Sequence, residues 1–224
     1  MMPRDLEGRI LLEAGTLLVI DKPPGLPSTG RSLDDDDCLQ HAVIQRAGGM
    51  VWAVHQLDAD TSGVNVFTKE RRHVAALKEA MSAPSARKHY LAMVHGRPTW
   101  ETQIVTDPIG MVDGTSLGVT TKGRSAHTEI EVLDRGPEHS LLRVRILTGR
   151  THQIRIHAAH LGHPIIGEEW YRSPPCTLHP RQALHASRLT LKDHPRLDVA
   201  APIPDDLKRL ASAIGLRLDR AEPR

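Results

Sequence analysis

Apolar residues fall in short runs separated by turn formers along most of this chain. Residues 9–13 and 17–20 each read as a strand, with Ala14-Gly15-Thr16 turning between them. Asp21-Lys22-Pro23-Pro24-Gly25-Leu26-Pro27-Ser28 follows, and its prolines and glycine make a stiff loop. Such a loop suits the wall of a binding site and equally a plain connection. Cys38, Leu39, Ala42, Val43 and Ala47 recur at helical spacing, and Gly48-Gly49 ends that helix. The acidic run Asp34-Asp35-Asp36-Asp37 ahead of it predicts carboxylates capping free N–H groups. A second helix is predicted over 69–81, with Val74, Leu77, Ala80 and Met81 inward and Pro84 beyond its end. Residues 88–96 read as a strand, 107–110 as a turn, and 111–124 as a loop or irregular hairpin rich in Gly and Thr. Residues 128–133 and 140–147 alternate well enough to pair, and 184–191 is a further strand. After a proline-rich linker at 201–204, Asp205 is expected to cap a last helix to Ile214, with Leu207 and Leu210 inside. Residues 215–224 are expected to be a flexible tail.

Two stretches depart from plain patterning. In the first, Val51-Trp52-Ala53-Val54 leads into His55-Gln56-Leu57-Asp58-Ala59-Asp60-Thr61-Ser62-Gly63, and the alternating Val64-Asn65-Val66-Phe67 leads away. A turn-prone cluster with two carboxylates thus sits between two apolar runs. Asp58 has two readings: an Asx turn accepting from N–H groups near Thr61, or a carboxylate presented for chemistry. For Asp60 the turn reading is preferred. The second stretch runs from Thr148-Gly149-Arg150-Thr151-His152-Gln153-Ile154-Arg155 to Leu161-Gly162-His163-Pro164. Here a strand ends, Gly149 permits a sharp turn, Thr151 is placed to cap a helix, and Gly162 suits its C-terminal end. Arg150 would stand at the helix N-terminus, where unsatisfied N–H groups favour an anion.

Composition narrows the possibilities. The 224 residues are 39% hydrophobic and 25% charged, enough for one good core, and they contain no apolar run long enough to span a bilayer. The N-terminus lacks the apolar core of a signal peptide, so a cytoplasmic protein is expected. Cys38 and Cys176 are far apart and read as buried free thiols, not a disulfide or a zinc site. His152 and His157 are five apart and lack the glutamate of a zinc-protease motif, so no metal is expected. Net charge is only +2, but residues 139–167 contain no Asp or Glu while holding Arg143, Arg145, Arg150 and Arg155. That local positive field suits a polyanion, unless acids elsewhere pair with it. Six aromatic residues are too few for a broad base-stacking surface.

Taken together the motifs resemble the RluA-type family of RNA pseudouridine synthases. His55-Gln56-Leu57-Asp58 with Thr61-Ser62-Gly63 is similar to the family's HRLDxxTSG segment, Lys88-His89-Tyr90-Leu91-Ala92 to its KxYxA strand, and Gly149 through Arg155 to its GRTHQIR motif. Leu161-Gly162-His163-Pro164-Ile165, Asp21-Lys22-Pro23 and Leu184-His185-Ala186 also match, in the expected order. The resemblance implies an α+β fold built on a mixed, largely antiparallel extended sheet flanked by helices and loops. It implies a single catalytic domain over 1–224, core about 9–214, with no S4-like domain because the motifs begin near residue 17. Asp58 takes the place of the catalytic carboxylate that attacks the uridine base or its ribose. Tyr90 matches the ring that stacks on the flipped uracil, Arg150 the partner of the carboxylate, and Ile154 an apolar contact to the base. His55, Gln56, Thr61, His152 and Arg155 complete the expected RNA-binding set.

A flipped base must be repaid for the stack it leaves, which is what a ring and an apolar wall supply. An isomerisation needs no redox change, so no cofactor is expected. RNA is the expected partner, tRNA favoured and rRNA possible, with no membrane, no metal and a monomeric chain. One departure matters: the family has Arg where this chain has Gln56, which implies an altered way of displacing the base and an altered RNA preference. Two rivals remain at this point. One is a catalytically impaired RNA-binding protein that keeps the fold. The other is a carboxylate-dependent hydrolase, for which Asp60 is the one weak second acid.

Overall fold

The computed structural model describes residues 6–32, 35–192 and 196–221. In chain order they form β1 (Ile10–Ala14), β2 (Leu17–Lys22), α1 (Leu39–Ala47), β3 (Trp52–Ala53), β4 (Ser62–Thr68), α2 (Val74–Ser82), β5 (Arg87–His95), β6 (Thr102–Val105), β7 (Ile109–Met111), β8 (Leu117–Val119), β9 (Thr128–Arg135), β10 (His139–Ile146), α3 (Gln153–His160), β11 (Leu184–Leu191), β12 (Leu197–Ala200) and α4 (Asp205–Ala213). The class is α+β, as expected. None of these helices is long and apolar enough to cross a membrane. The chain divides into two compact units. One runs to Arg87 and takes in Ala186–Pro202; the other comprises Lys88–His185 and the chain from Ile203.

In the first unit β1, β2 and β4 pair antiparallel in that order, β3 adds to β4, and β12 pairs with β11. Every residue of β4 is buried, its polar Ser62, Asn65 and Thr68 as well as its apolar ones, so the alternation in its sequence does not mark a solvent face. Leu77 and Met81 of α2 pack with Val19, Val64, Val66, Leu189 and Leu191. On a second cluster Leu39 and Val43 of α1 meet Leu18, Ile20 and Phe67. Gly63 has φ +109°, and a Cβ there would lie 2.2 Å from the Ala186 carbonyl oxygen. Only glycine permits β4 and β11 to come this close at the foot of the Asp58 loop.

The second unit is an antiparallel sheet in the order β5-β10-β9-β6, with β7 and β8 forming a separate hairpin. That hairpin is the irregular one allowed for 111–124. Its tip is closed by the Asp113 carboxylate, which accepts from the Thr115 and Ser116 N–H groups. Ile156 of α3 packs on Ile109 and Ala126.

Several local expectations are corrected. α1 is capped by Cys38, whose sulfur accepts from the His41 N–H, and not by the acidic run. Asp35 closes a turn of its own by accepting from Arg31 and Asp37; Asp34 lies outside the described residues. Pro204, not Asp205, holds the N-cap position of α4; Asp205 is a first-turn residue that pairs with Lys208. The tail expected from 215 is packed as far as Ala221. Leu216 and Ala221 are buried, and Arg217 binds the Asp134 carboxylate through its N–H and its guanidinium. β12 is a strand that the patterning did not resolve.

Candidate active site

Asp58 stands half-buried on the loop between β3 and β4. The bond that closes its turn runs from the Thr61 N–H to the main-chain carbonyl of Asp58, at 3.0 Å. Both neighbours are anchored. The Leu57 N–H donates to the Ser28 hydroxyl at 2.9 Å. The Ala59 carbonyl accepts from the Lys22 ammonium at 2.6 Å. That ammonium also donates to the carbonyls of Pro23 and Leu26, at 2.9 and 2.6 Å, and Lys22 is 0% exposed. A lysine has three protons to give, and here three carbonyls receive them. The stiff Pro-Pro-Gly loop and the Asp58 loop are therefore tied to one buried cation.

The remaining expected residues of this unit divide by exposure. Gln56 is exposed and donates from Nε2 to the Thr29 hydroxyl at 2.7 Å. The His55 ring accepts the Val66 N–H at Nε2, 3.2 Å, and Asn65 donates to the His55 carbonyl. Neutral His55 must then carry its proton on Nδ1. These bonds fasten the start of the loop to β4. Thr61, expected to touch RNA, is buried and serves the turn instead.

In the second unit, period-two alternation along β5 puts Lys88, Tyr90 and Ala92 on one face, with Tyr90 opposite Val144 of β10. Tyr90 is 9% exposed. Burial, reinforced by the charges of Arg145 and Arg150, lowers the pKa of Lys88. Arg150 precedes α3, donating from Nε to the Ser125 carbonyl at 3.0 Å. The helix begins later than expected. Thr151 is exposed and caps nothing; His152 is the N-cap residue, at φ 54°, without a side-chain cap bond. Gln153 does the work assigned to Thr151. Its Oε1 accepts from the Arg150 N–H and the Thr148 hydroxyl, and its Nε2 donates to the His127 carbonyl and the Thr128 hydroxyl. All four bonding positions of one buried amide fix the turn that carries Arg150.

The expected uncompensated positive field is largely cancelled. Arg143 pairs with Glu131 and Arg145 with Glu129 across the strands, at 2.8 and 2.9 Å. Arg155, expected to bind RNA, is instead buried. Its Nε and Nη2 each lie 2.8 Å from a Glu168 carboxylate oxygen, and Glu168 is 0% exposed. Burial alone would raise the pKa of Glu168; Arg155 and the N–H groups of Trp170 and Tyr171 outweigh it and lower it. His152 contacts the Tyr171 hydroxyl through Nδ1 at 2.7 Å. Buried His157 spends Nε2 on the Asp107 carbonyl and Nδ1 on the Thr128 hydroxyl. Ile154 is buried.

Sequence reasoning passed over three residues that build these loops. Lys22 was visible as part of a stiff loop and of the Asp21-Lys22-Pro23 match, without a role. Gln153 lay inside a motif whose charged members drew attention. Glu168 had the clearest signal, since it is the acid that ends the acid-free run.

The family profile described as RNA pseudouridylate synthase matches residues 16–160. Ribosomal large subunit pseudouridine synthase D of Xanthomonas campestris is 36% identical over 238 residues, covering 95% of this chain and 71% of that protein. The chain belongs to the RluA-type family of RNA pseudouridine synthases. The Pseudomonas aeruginosa protein of the same name is also 36% identical, over 98% of this chain and 75% of its own length. A solved human structure, RNA pseudouridylate synthase domain containing 4, is 24% identical, covers 95% of each chain, and superposes with a TM-score of 0.79. That likeness bears on the fold. As a pseudouridine synthase the chain is an isomerase that acts on RNA.

Proposed function

We propose that this chain isomerises uridines in large-subunit ribosomal RNA, with Asp58 as the nucleophile. The observation that carries the reading is the anchoring of Asp58 on both sides, to the Ser28 hydroxyl and to the buried Lys22 ammonium. A nucleophile held this way needs little reorganisation at the moment of attack. The carboxylate attacks the uridine base or its ribose and the glycosidic bond breaks. The base then turns and rejoins through carbon five, which gives up its hydrogen. Tyr90 and Arg150 carry the roles that the family resemblance assigns them. The names of the two relatives move the weight from tRNA, favoured on the sequence, to large-subunit rRNA.

Gln56 is proposed to set the RNA preference. It holds Thr29 at 2.7 Å, and its amide can pair with a base edge, though without the charge of an arginine. Gln56→Arg is expected to shift activity between RNAs; an unchanged profile on every RNA tried would sink that idea. The test of the whole reading is tritium release from uridine labelled at ring carbon five. It is run on unmodified transcripts of large-subunit rRNA and of bulk tRNA. Release from the rRNA transcript alone is the expected result. Release from tRNA alone would overturn the substrate class, and release from neither, with binding intact, would return the impaired RNA-binding protein as the better account.

A further inference from the structure

We propose that Trp170 is a stacking platform for one unpaired base of the RNA, a proposal that rests on reading the chain as an RNA-modifying enzyme. Of the six aromatic residues Trp170 alone is exposed, at 68%, and it is therefore the ring most open to a base outside the site of Tyr90. A single exposed apolar residue is ordinary. What surrounds this one is not.

Trp170 lies in a segment outside regular structure, yet its N–H donates to Glu168 Oε1 at 3.0 Å. Glu168 is itself clamped by buried Arg155, whose guanidinium carbon sits 5.2 Å from the indole centroid. One cation thus fixes the loop through its carboxylate partner and lies over the ring it presents. The His152 ring is 5.0 Å from the indole and tilted by 58°. His152 is also the non-glycine residue at positive φ among those described, a conformation that costs energy and needs its surroundings to hold it. The Tyr171 hydroxyl, 2.7 Å from His152 Nδ1, supplies part of that hold. A strained residue, a buried ion pair and a neighbouring hydroxyl together keep one solvated indole in place.

An unpaired base is the occupant that fits. Glu169 before the ring is offset by Arg172 after it, and Glu168 is neutralised by Arg155, so no net negative charge from these residues opposes a phosphate. A base offers a flat π-face and carries a phosphate that tolerates arginine nearby, whereas an apolar protein patch would want neighbouring apolar side chains.

The test uses the Trp52→Phe, Trp100→Phe double variant, which leaves Trp170 as the only indole. Oligoadenylate is expected to quench its fluorescence saturably. Trp170→Ala is expected to weaken binding of the large-subunit rRNA transcript about tenfold and raise KM with kcat within about twofold, the size of one base–aromatic stack. Trp170→Phe should restore most of the loss and Trp170→Leu should not. Unchanged binding by Trp170→Ala would overturn the proposal, as would equal rescue by Leu. Self-association of the wild type that Trp170→Ala abolishes would assign the ring to a second copy and also overturn it. Quenching and the tenfold loss without any tritium release would leave the stacking role standing while the proposed activity fails.

Discussion

The loop that carries Asp58 and the turn that carries Arg150 are both rigid, and they are made rigid in different currencies of charge. In the first unit a buried ammonium, Lys22, is surrounded by the carbonyls of Pro23, Leu26 and Ala59. In the second, the turn is fixed by the neutral amide of Gln153, while the buried charges Arg155 and Glu168 neutralise one another behind it. The Lys22 ammonium is held by backbone dipoles, and its field reaches the neighbouring Asp21 carboxylate. The field of Arg155 is met at once by a buried carboxylate. The difference teaches where the fold uses charge to join two loops and where it uses it to build a ledge: the Lys22 ammonium draws the Pro-Pro-Gly loop and the Asp58 loop onto one centre, while the Arg155–Glu168 pair shapes a ledge and leaves no net charge.

The comparison can be broken most forcefully at the pair. Glu168→Gln strands the Arg155 guanidinium in the interior and is expected to cost about 3–5 kcal/mol in urea unfolding. The Arg155→Met, Glu168→Leu double variant should recover most of that, because two buried charges replaced by apolar volume lose little. A double variant as unstable as the single one would mean that the ions do more than shape the ledge. Lys22→Met keeps the stem and removes the ammonium, leaving three carbonyls short of a donor; about 2–3 kcal/mol of stability should go. Tritium release should fall further than the folded fraction does, and equal losses would make Lys22 purely structural. Gln153→Leu is expected to cost about 2 kcal/mol and to lower activity through the Arg150 turn.

The smallest effect sharpens the charged side of the comparison. Asp21, next to Lys22, is pushed up to about 6, chiefly by burial and in spite of Arg9 and Lys22. Its folded pKa lies above its unfolded value, so the native state holds the extra proton between the two. The stability linked to that proton is present below the usual carboxylate range and is lost as pH rises through about 6. Asp21→Asn should therefore match the wild type near pH 4 and be the more stable of the two above pH 7. Thermal melts at the two pH values check it, and a variant less stable at both would show that the Arg9 contact dominates.

Much of this was legible beforehand, for reasons that particular residues make plain. Period-two runs flanked by turn formers placed β1, β2, β9 and β10 to within two residues, whereas the close approach of Gly63 to β11 was visible only in the structure. Where one side chain competes with another for the same orphan N–H, local pattern fails. Cys38 rather than an aspartate caps α1, and Gln153 rather than Thr151 organises the start of α3. Burial was the second blind spot. Arg155 and Thr61 stand in motifs that resemble RNA-binding ones, but only tertiary packing decides that Arg155 turns inward to Glu168 and that Thr61 is covered. Lys22 was unreadable for the same reason, because the carbonyls that receive it come from two loops far apart in sequence.

The central claim is that the anchored Asp58 carboxylate performs the chemistry. Single-turnover tritium release from the large-subunit rRNA transcript, comparing wild type with Asp58→Asn under matched RNA binding, tests it most directly. The account predicts release by the wild type and loss of at least about a thousandfold in the variant, since the amide cannot act as the nucleophile. Release by Asp58→Asn at a rate near that of the wild type would contradict it.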